Sequence, residues 1–117
     1  MTTVLVTCSG ISNTGKLTTQ AAQLLMQKHP GRYQWTHVKK SAAALEDEVR
    51  NADQVVVIEG CHDCCASKKM AATTVSPHCH IIATDLGIEK NGMADVQYHE
   101  IEKVVRAVME GETGGSS

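Results

Sequence analysis

Five cysteines and six histidines stand in a chain of 117 residues, and three of the thiols fall within five residues, at Cys61-His62-Asp63-Cys64-Cys65. Closely spaced thiols do one of two kinds of chemistry. They bind zinc and other thiophilic metal ions as thiolates, or they exchange disulfides. Both are open here. Cys61-x-x-Cys64 is the spacing of a redox dithiol, whereas Cys61-x-x-x-Cys65 lets a helical turn bring the second thiol back toward the first. The cluster follows Val55-Val56-Val57-Ile58-Glu59-Gly60 and precedes Ala66-Ser67-Lys68-Lys69. Four consecutive apolar residues read as a strand buried on both faces, ended by a glycine. The thiols therefore sit at a strand-to-helix junction.

The remaining candidates depend on the elements that must position them. Residues 3–8 read as a first strand, followed by the loop Ser9-Gly10-Ile11-Ser12-Asn13. In residues 14–29, Leu17, Ala21, Leu24 and Leu25 mark one face of a helix that Ser12, Asn13 or Thr14 can cap and Pro30-Gly31 ends. Residues 33–38 alternate as a second strand. Ser41 caps a helix over 42–51 whose inner face is Leu45, Val49 and Ala52. A third strand over 54–59, a helix over 63–73, a break at Ser76-Pro77 and a fourth strand over 80–84 come next. The loop 85–92 leads to a helix over 98–110 with Ile101, Val104, Val105, Val108 and Met109 in a stripe. Strand and helix alternate four times. This predicts one α/β domain over residues 1–110, a Rossmann-like three-layer sandwich with a four-stranded, mostly parallel sheet and helices on both faces. Residues 111–117 are expected to be a disordered tail.

In an open parallel sheet the working site lies at the carboxyl ends of the strands. Cys8, His37, Cys61 and Asp85 all fall at such ends, so the topology gathers residues far apart in sequence. On a strand, His78 and His80 share a face that Cys79 does not, which argues against one ligand set made of all three. The run Gly10-Ile11-Ser12-Asn13-Thr14-Gly15-Lys16 fits G-x-x-x-x-G-K, but Leu17 stands where a phosphate-binding loop needs Ser or Thr. A cysteine phosphatase would need Arg at position 14, where Thr14 stands. Cys8 with the Gly/Ser/Asn loop after it resembles the phosphocysteine loop of sugar-transport IIB proteins.

Composition narrows the partners. The formal net charge is −2 with scattered Lys and Arg, and the chain is 42% apolar without a single Phe. No basic patch points to nucleic acid, and no apolar run approaches the roughly 18 residues of a membrane span. Met1-Thr2-Thr3-Val4 runs straight into a strand without a basic leader region. An odd cysteine count in such a chain favours a cytoplasmic protein with reduced or metal-bound thiols. The sequence names no protein partner.

Cys8-Ser9-Gly10 with Thr14-Gly15, Glu59-Gly60-Cys61 with Cys65-Ala66 and Lys68-Lys69, His80, and Thr84-Asp85-Leu86-Gly87-Ile88-x-Lys90 together resemble the DGC-domain proteins. These are small prokaryotic proteins described as zinc-binding, with four characteristic cysteines. The resemblance runs over about residues 4–108. It maps family cysteines onto Cys8, Cys61 and Cys65. Glu59 stands where the family has Asp, and no Cys occurs near residues 35–37, where the fourth is expected. The resemblance thus implies a zinc site with Cys8, Cys61 and Cys65 as ligands and His37, Cys64 or a water as the fourth. Asp85 then supports a ligand or orders its loop. It implies no reaction. A thioredoxin-like dithiol, Cys61 and Cys64 with Pro77 before the next strand, and a phosphocysteine at Cys8 stand as alternatives.

Overall fold

A computed structural model of the chain describes residues 2–8, 13–60, 64–89 and 95–114. The loop expected at 9–12, the start of the cysteine cluster at 61–63, the stretch 90–94 and the chain end at 115–117 lie outside the described residues.

The elements follow in the order β1 (Thr3–Thr7), α1 (Asn13–Lys28), β2 (Tyr33–His37), α2 (Ala42–Val49), β3 (Gln54–Glu59), α3 (Cys65–Met70), β4 (Cys79–Ile82), a 3-10 turn (Ala83–Leu86) and α4 (Tyr98–Gly114). The strands form one sheet in the order β2-β1-β3-β4, every pair parallel. The central strands carry the apolar runs: all of β1 and five of the six residues of β3 are buried, as a strand covered on both faces requires.

Alternation along the strands builds two cores. Leu5, Val56, Ile58 and Ile81 point to one face and pack with Leu17, Ala21 and Leu25 of α1 and Val104, Val105 and Val108 of α4. Val4, Val6, Cys8, Val55 and Val57 point to the other and pack with Leu45 and Val49 of α2 and Ala66 and Met70 of α3. Burying each such Leu, Ile or Val stabilises the fold by about 1.5–3 kcal/mol relative to leaving it in water. A one-residue slip in β3 would exchange the faces and place Glu59 under α1, so the register is strongly specified.

Two glycines let elements approach closely. A Cβ on Gly60 would lie 2.8 Å from the Thr14 carbonyl carbon and 2.9 Å from the Gly15 nitrogen. The end of β3 is thus pressed against the first turn of α1. On Gly111 a Cβ would lie 2.5 Å from Cys79 Sγ, with no other described atom nearer than Cys79 Cβ at 3.8 Å. Helix α4 extends past the expected end at Glu110 to Gly114, and at Gly111 it comes close to Cys79 of β4.

Helix α2 is fastened by its acidic residues. Ser41 Oγ accepts from the Ala44 N–H as N-cap. Lys40 Nζ donates to both oxygens of Glu48 at 2.8 and 2.9 Å, and Thr36 of β2 donates its hydroxyl to the same carboxylate. Burial raises the Glu48 carboxyl, but hydrogen bonds from Lys40 and Thr36 and the Lys40 charge outweigh it and hold it below the ordinary value. The Thr74 N–H holds Glu46 down in the same direction.

These contacts give three expectations. Gly60→Ala presses a methyl group into backbone that cannot give way, and should cost about 1–3 kcal/mol in urea unfolding, the range of an overpacked core. An unchanged midpoint would show that β3 and α1 are not in contact there. Gly111→Ala should destabilise alone, yet in the Cys79→Ala background it should stabilise by up to about 1 kcal/mol, the helix propensity of Ala over Gly. Because the folded value of Glu48 is depressed, its contribution is present at neutral pH and disappears as pH falls through that value. Wild type and Glu48→Gln should therefore differ in melting temperature at pH 7 and converge as the pH falls below the ordinary glutamate range and through the depressed folded value. The carboxylate is half exposed, so the gap should stay under about 1 kcal/mol. A gap that persists in acid would assign it to packing instead.

Candidate metal centre

The carboxylate of Glu59 is buried completely. It ends β3 on the face that Val55 and Val57 share, under the start of α3. Glu59 Oε1 accepts from the Ala66 N–H at 3.0 Å and Oε2 from the Ser67 N–H at 2.7 Å. A carboxylate removed from water costs several kcal/mol unless hydrogen bonds replace its hydration. The amides at the start of a helix have no intrahelical acceptors, so each group supplies what the other lacks.

His80 reaches the same place from β4. Its register partner is Val57, so it projects to the face of Glu59, while Ile81 and Cys79 turn to the α1 and α4 side. His80 Nε2 lies 3.4 Å from Glu59 Oε2 and 3.0 Å from Ser67 Oγ. His78, by contrast, serves the backbone. Its N–H donates to the Val55 carbonyl and its Nδ1 accepts from the Val55 N–H at 3.1 Å.

Cys64 completes the group from the residue before α3. Its φ of 53° and ψ of 44° make it the one non-glycine residue with positive φ among those described. A left-handed conformation costs an L-residue roughly 1–2 kcal/mol. At this residue the chain turns into α3.

Glu59, Cys64 and His80 each offer a ligand atom, and all three atoms lie within 4.8 Å of one another. Zinc bonds of about 2.0–2.3 Å at tetrahedral angles separate donor atoms by about 3.5 Å. The 3.4 Å between His80 Nε2 and Glu59 Oε2 matches that spacing. The set runs from a buried carboxylate through a half-buried thiol to an exposed imidazole, so it opens to solvent on one side. One carboxylate oxygen, one imidazole nitrogen and one sulfur could hold zinc or a neighbouring divalent ion.

The residues picked out from sequence are distributed as follows. Cys64 belongs to the group. Cys65 is its exposed neighbour on α3. Cys61 lies outside the described residues. Cys8 is buried at the end of β1, where its N–H donates to the Ile58 carbonyl and its Sγ lies 3.7 Å from Thr18 Oγ1. His37 ends β2 with Nδ1 accepting from the Lys39 N–H at 3.1 Å. Asp85 is exposed on the 3-10 turn. Among the described residues, Cys8, Cys65, His37 and Asp85 join no group of three close donors. In the sequence Glu59 and His80 stood among the residues that carry the resemblance, but neither was among the ligands it implies. Their signal was parity, since Val55, Val57 and Glu59 alternate onto one face and β4 aligns His80 with Val57.

Comparison with curated proteins and with solved structures gives no match. Among the described residues no helix is long and apolar enough to cross a membrane. The family model for the DGC domain matches residues 4–108. That span covers β2, β3, β4, all of β1 but Thr3 and most of α4, with Glu59, Cys64 and His80 inside it, and the chain belongs to the DGC domain family.

Proposed function

We propose that this protein binds zinc at the carboxyl edge of its sheet, through Cys64, Glu59 and His80. The observation that supports it is the convergence of three donor types from β3, β4 and the start of α3 within 4.8 Å. Among the fourth-ligand options raised by the sequence, Cys64 is favoured over His37 because it stands with two other donors. Cys61 and Cys65 flank Cys64 in sequence. They are proposed as thiols that can take over the weakest donor position of the ion, Cys65 being exposed. Cys8, beneath Thr18, and Asp85, on the 3-10 turn, are proposed as supports of this edge of the sheet. An ion there would supply Lewis acidity toward a group entering from solvent. The residues themselves bind and orient it: Glu59 is fixed by two amides, and His80 is held by β4. A cytoplasmic location accords with reduced thiols.

Metal analysis of protein purified without added zinc, with thiols counted before and after chelation, tests the proposal. One zinc per chain is expected, with at least one protected thiol released by the chelator. Cys64→Ser and His80→Ala should each weaken zinc by more than the 10–100-fold typical of losing a supporting hydrogen bond, while His37→Ala should leave it unchanged. Metal-free protein that cycles through a Cys61–Cys64 disulfide would overturn the metal assignment in favour of thiol redox chemistry.

A further inference from the structure

We infer that Ser67 is a fourth donor of this centre, its hydroxyl facing the ion beside His80. The inference rests on the metal-binding reading above and concerns a residue that no cysteine or histidine pattern would select. Cys64 and Ser67 occupy the N-cap and third positions of α3, three residues apart and therefore on one side of its first turn. Ser67 touches two of the three donor side chains through separate atoms. Its N–H donates to Glu59 Oε2 at 2.7 Å, and its Oγ lies 3.0 Å from His80 Nε2. As the third residue of α3, Ser67 has no carbonyl of its own helix four residues back to bond. Here the hydroxyl turns across to β4 instead.

The hydrogen-bond inventory of imidazole sharpens this. Each ring nitrogen offers either one N–H or one lone pair. When Nε2 of His80 gives its lone pair to a metal ion, it has nothing left for Ser67. The hydroxyl then loses its partner while standing among the donor atoms. The oxygen that meets His80 Nε2 at 3.0 Å is thereby placed to turn onto an ion held there. Ser67 is half-buried, and its neutral oxygen is the weakest donor of the set. It would mark the position at which a stronger incoming ligand, a thiolate or a small anion, exchanges.

Cobalt(II) titration followed by absorption tests the inference, because cobalt reports thiolate ligation as near-ultraviolet charge-transfer intensity. Both Ser67→Cys and Ser67→Ala keep the N–H that Glu59 requires. At saturating cobalt, Ser67→Cys should gain about one thiolate's worth of charge-transfer intensity over wild type. Ser67→Ala should bind cobalt about tenfold more weakly, the lower end of the effect expected for loss of a group supporting a metal site. Thermal melting of the apo forms establishes that both variants are folded. If wild type binds cobalt and the Ser67→Cys spectrum superimposes on it, or if Ser67→Ala binds as tightly as wild type, Ser67 is not a donor and the metal centre stands without it. If wild type itself shows no cobalt spectrum, the metal-binding reading falls and the role of Ser67 with it.

Discussion

The hydrogen bonds between the Glu59 carboxylate and the first amides of α3 are the constraint on which this edge of the molecule depends. A carboxylate at 0% exposure is tolerated because Ala66 and Ser67 donate to its two oxygens. The six-residue α3 is too short to be stable by its own hydrogen bonds. It is held by Glu59 at its start and by Ala66 and Met70 in the core beneath it. One side chain therefore fixes where the helix begins, and with it the places of Cys64 and Ser67. An apolar residue at position 59 would leave two donors unsatisfied in a buried setting, each costing about 1–3 kcal/mol.

The parallel sheet supplies the rest of the geometry. Because every strand runs parallel to its neighbours, the ends of β1, β2 and β3 and the turn after β4 fall on one edge. Alternation then decides which side chains meet there: the parity that buries Val55 and Val57 also delivers Glu59, and the β3–β4 register delivers His80. Gly60 makes the arrangement compact by letting the end of β3 rest on the backbone of Thr14 and Gly15. The strained backbone at Cys64 fits this account. A left-handed residue is held there by the fixed strand on one side and the fixed helix on the other, and the strain falls on the residue whose thiol joins the donor group.

Much of the architecture was legible in the residue pattern. The apolar runs of β1 and β3, the stripes of α1 and α4 and the Ser41 cap are local signals, and the structure has them at the expected places. Element ends were less legible. Strand β4 stops at Ile82 because Ala83–Leu86 closes into a 3-10 turn, which no local pattern announces. Helix α4 continues to Gly114 because Gly111 lets it lie on Cys79. The candidate centre was half legible. The cysteine pattern offered Cys64 only as one of three options for a fourth ligand, and Glu59 and His80 become its partners through strand register, a non-local property. The left-handed turn at Cys64 has no signature in a residue that is not glycine.

What unites these features is a mixed oxygen, nitrogen and sulfur donor set built on two strands and one short helix. Anomalous diffraction at the zinc edge, on crystals of protein purified without added metal, tests the central claim most directly. The account predicts a single strong peak bounded by Glu59 Oε2, Cys64 Sγ and His80 Nε2. A peak beside Cys8 and His37 instead, or no zinc peak at all, would contradict it.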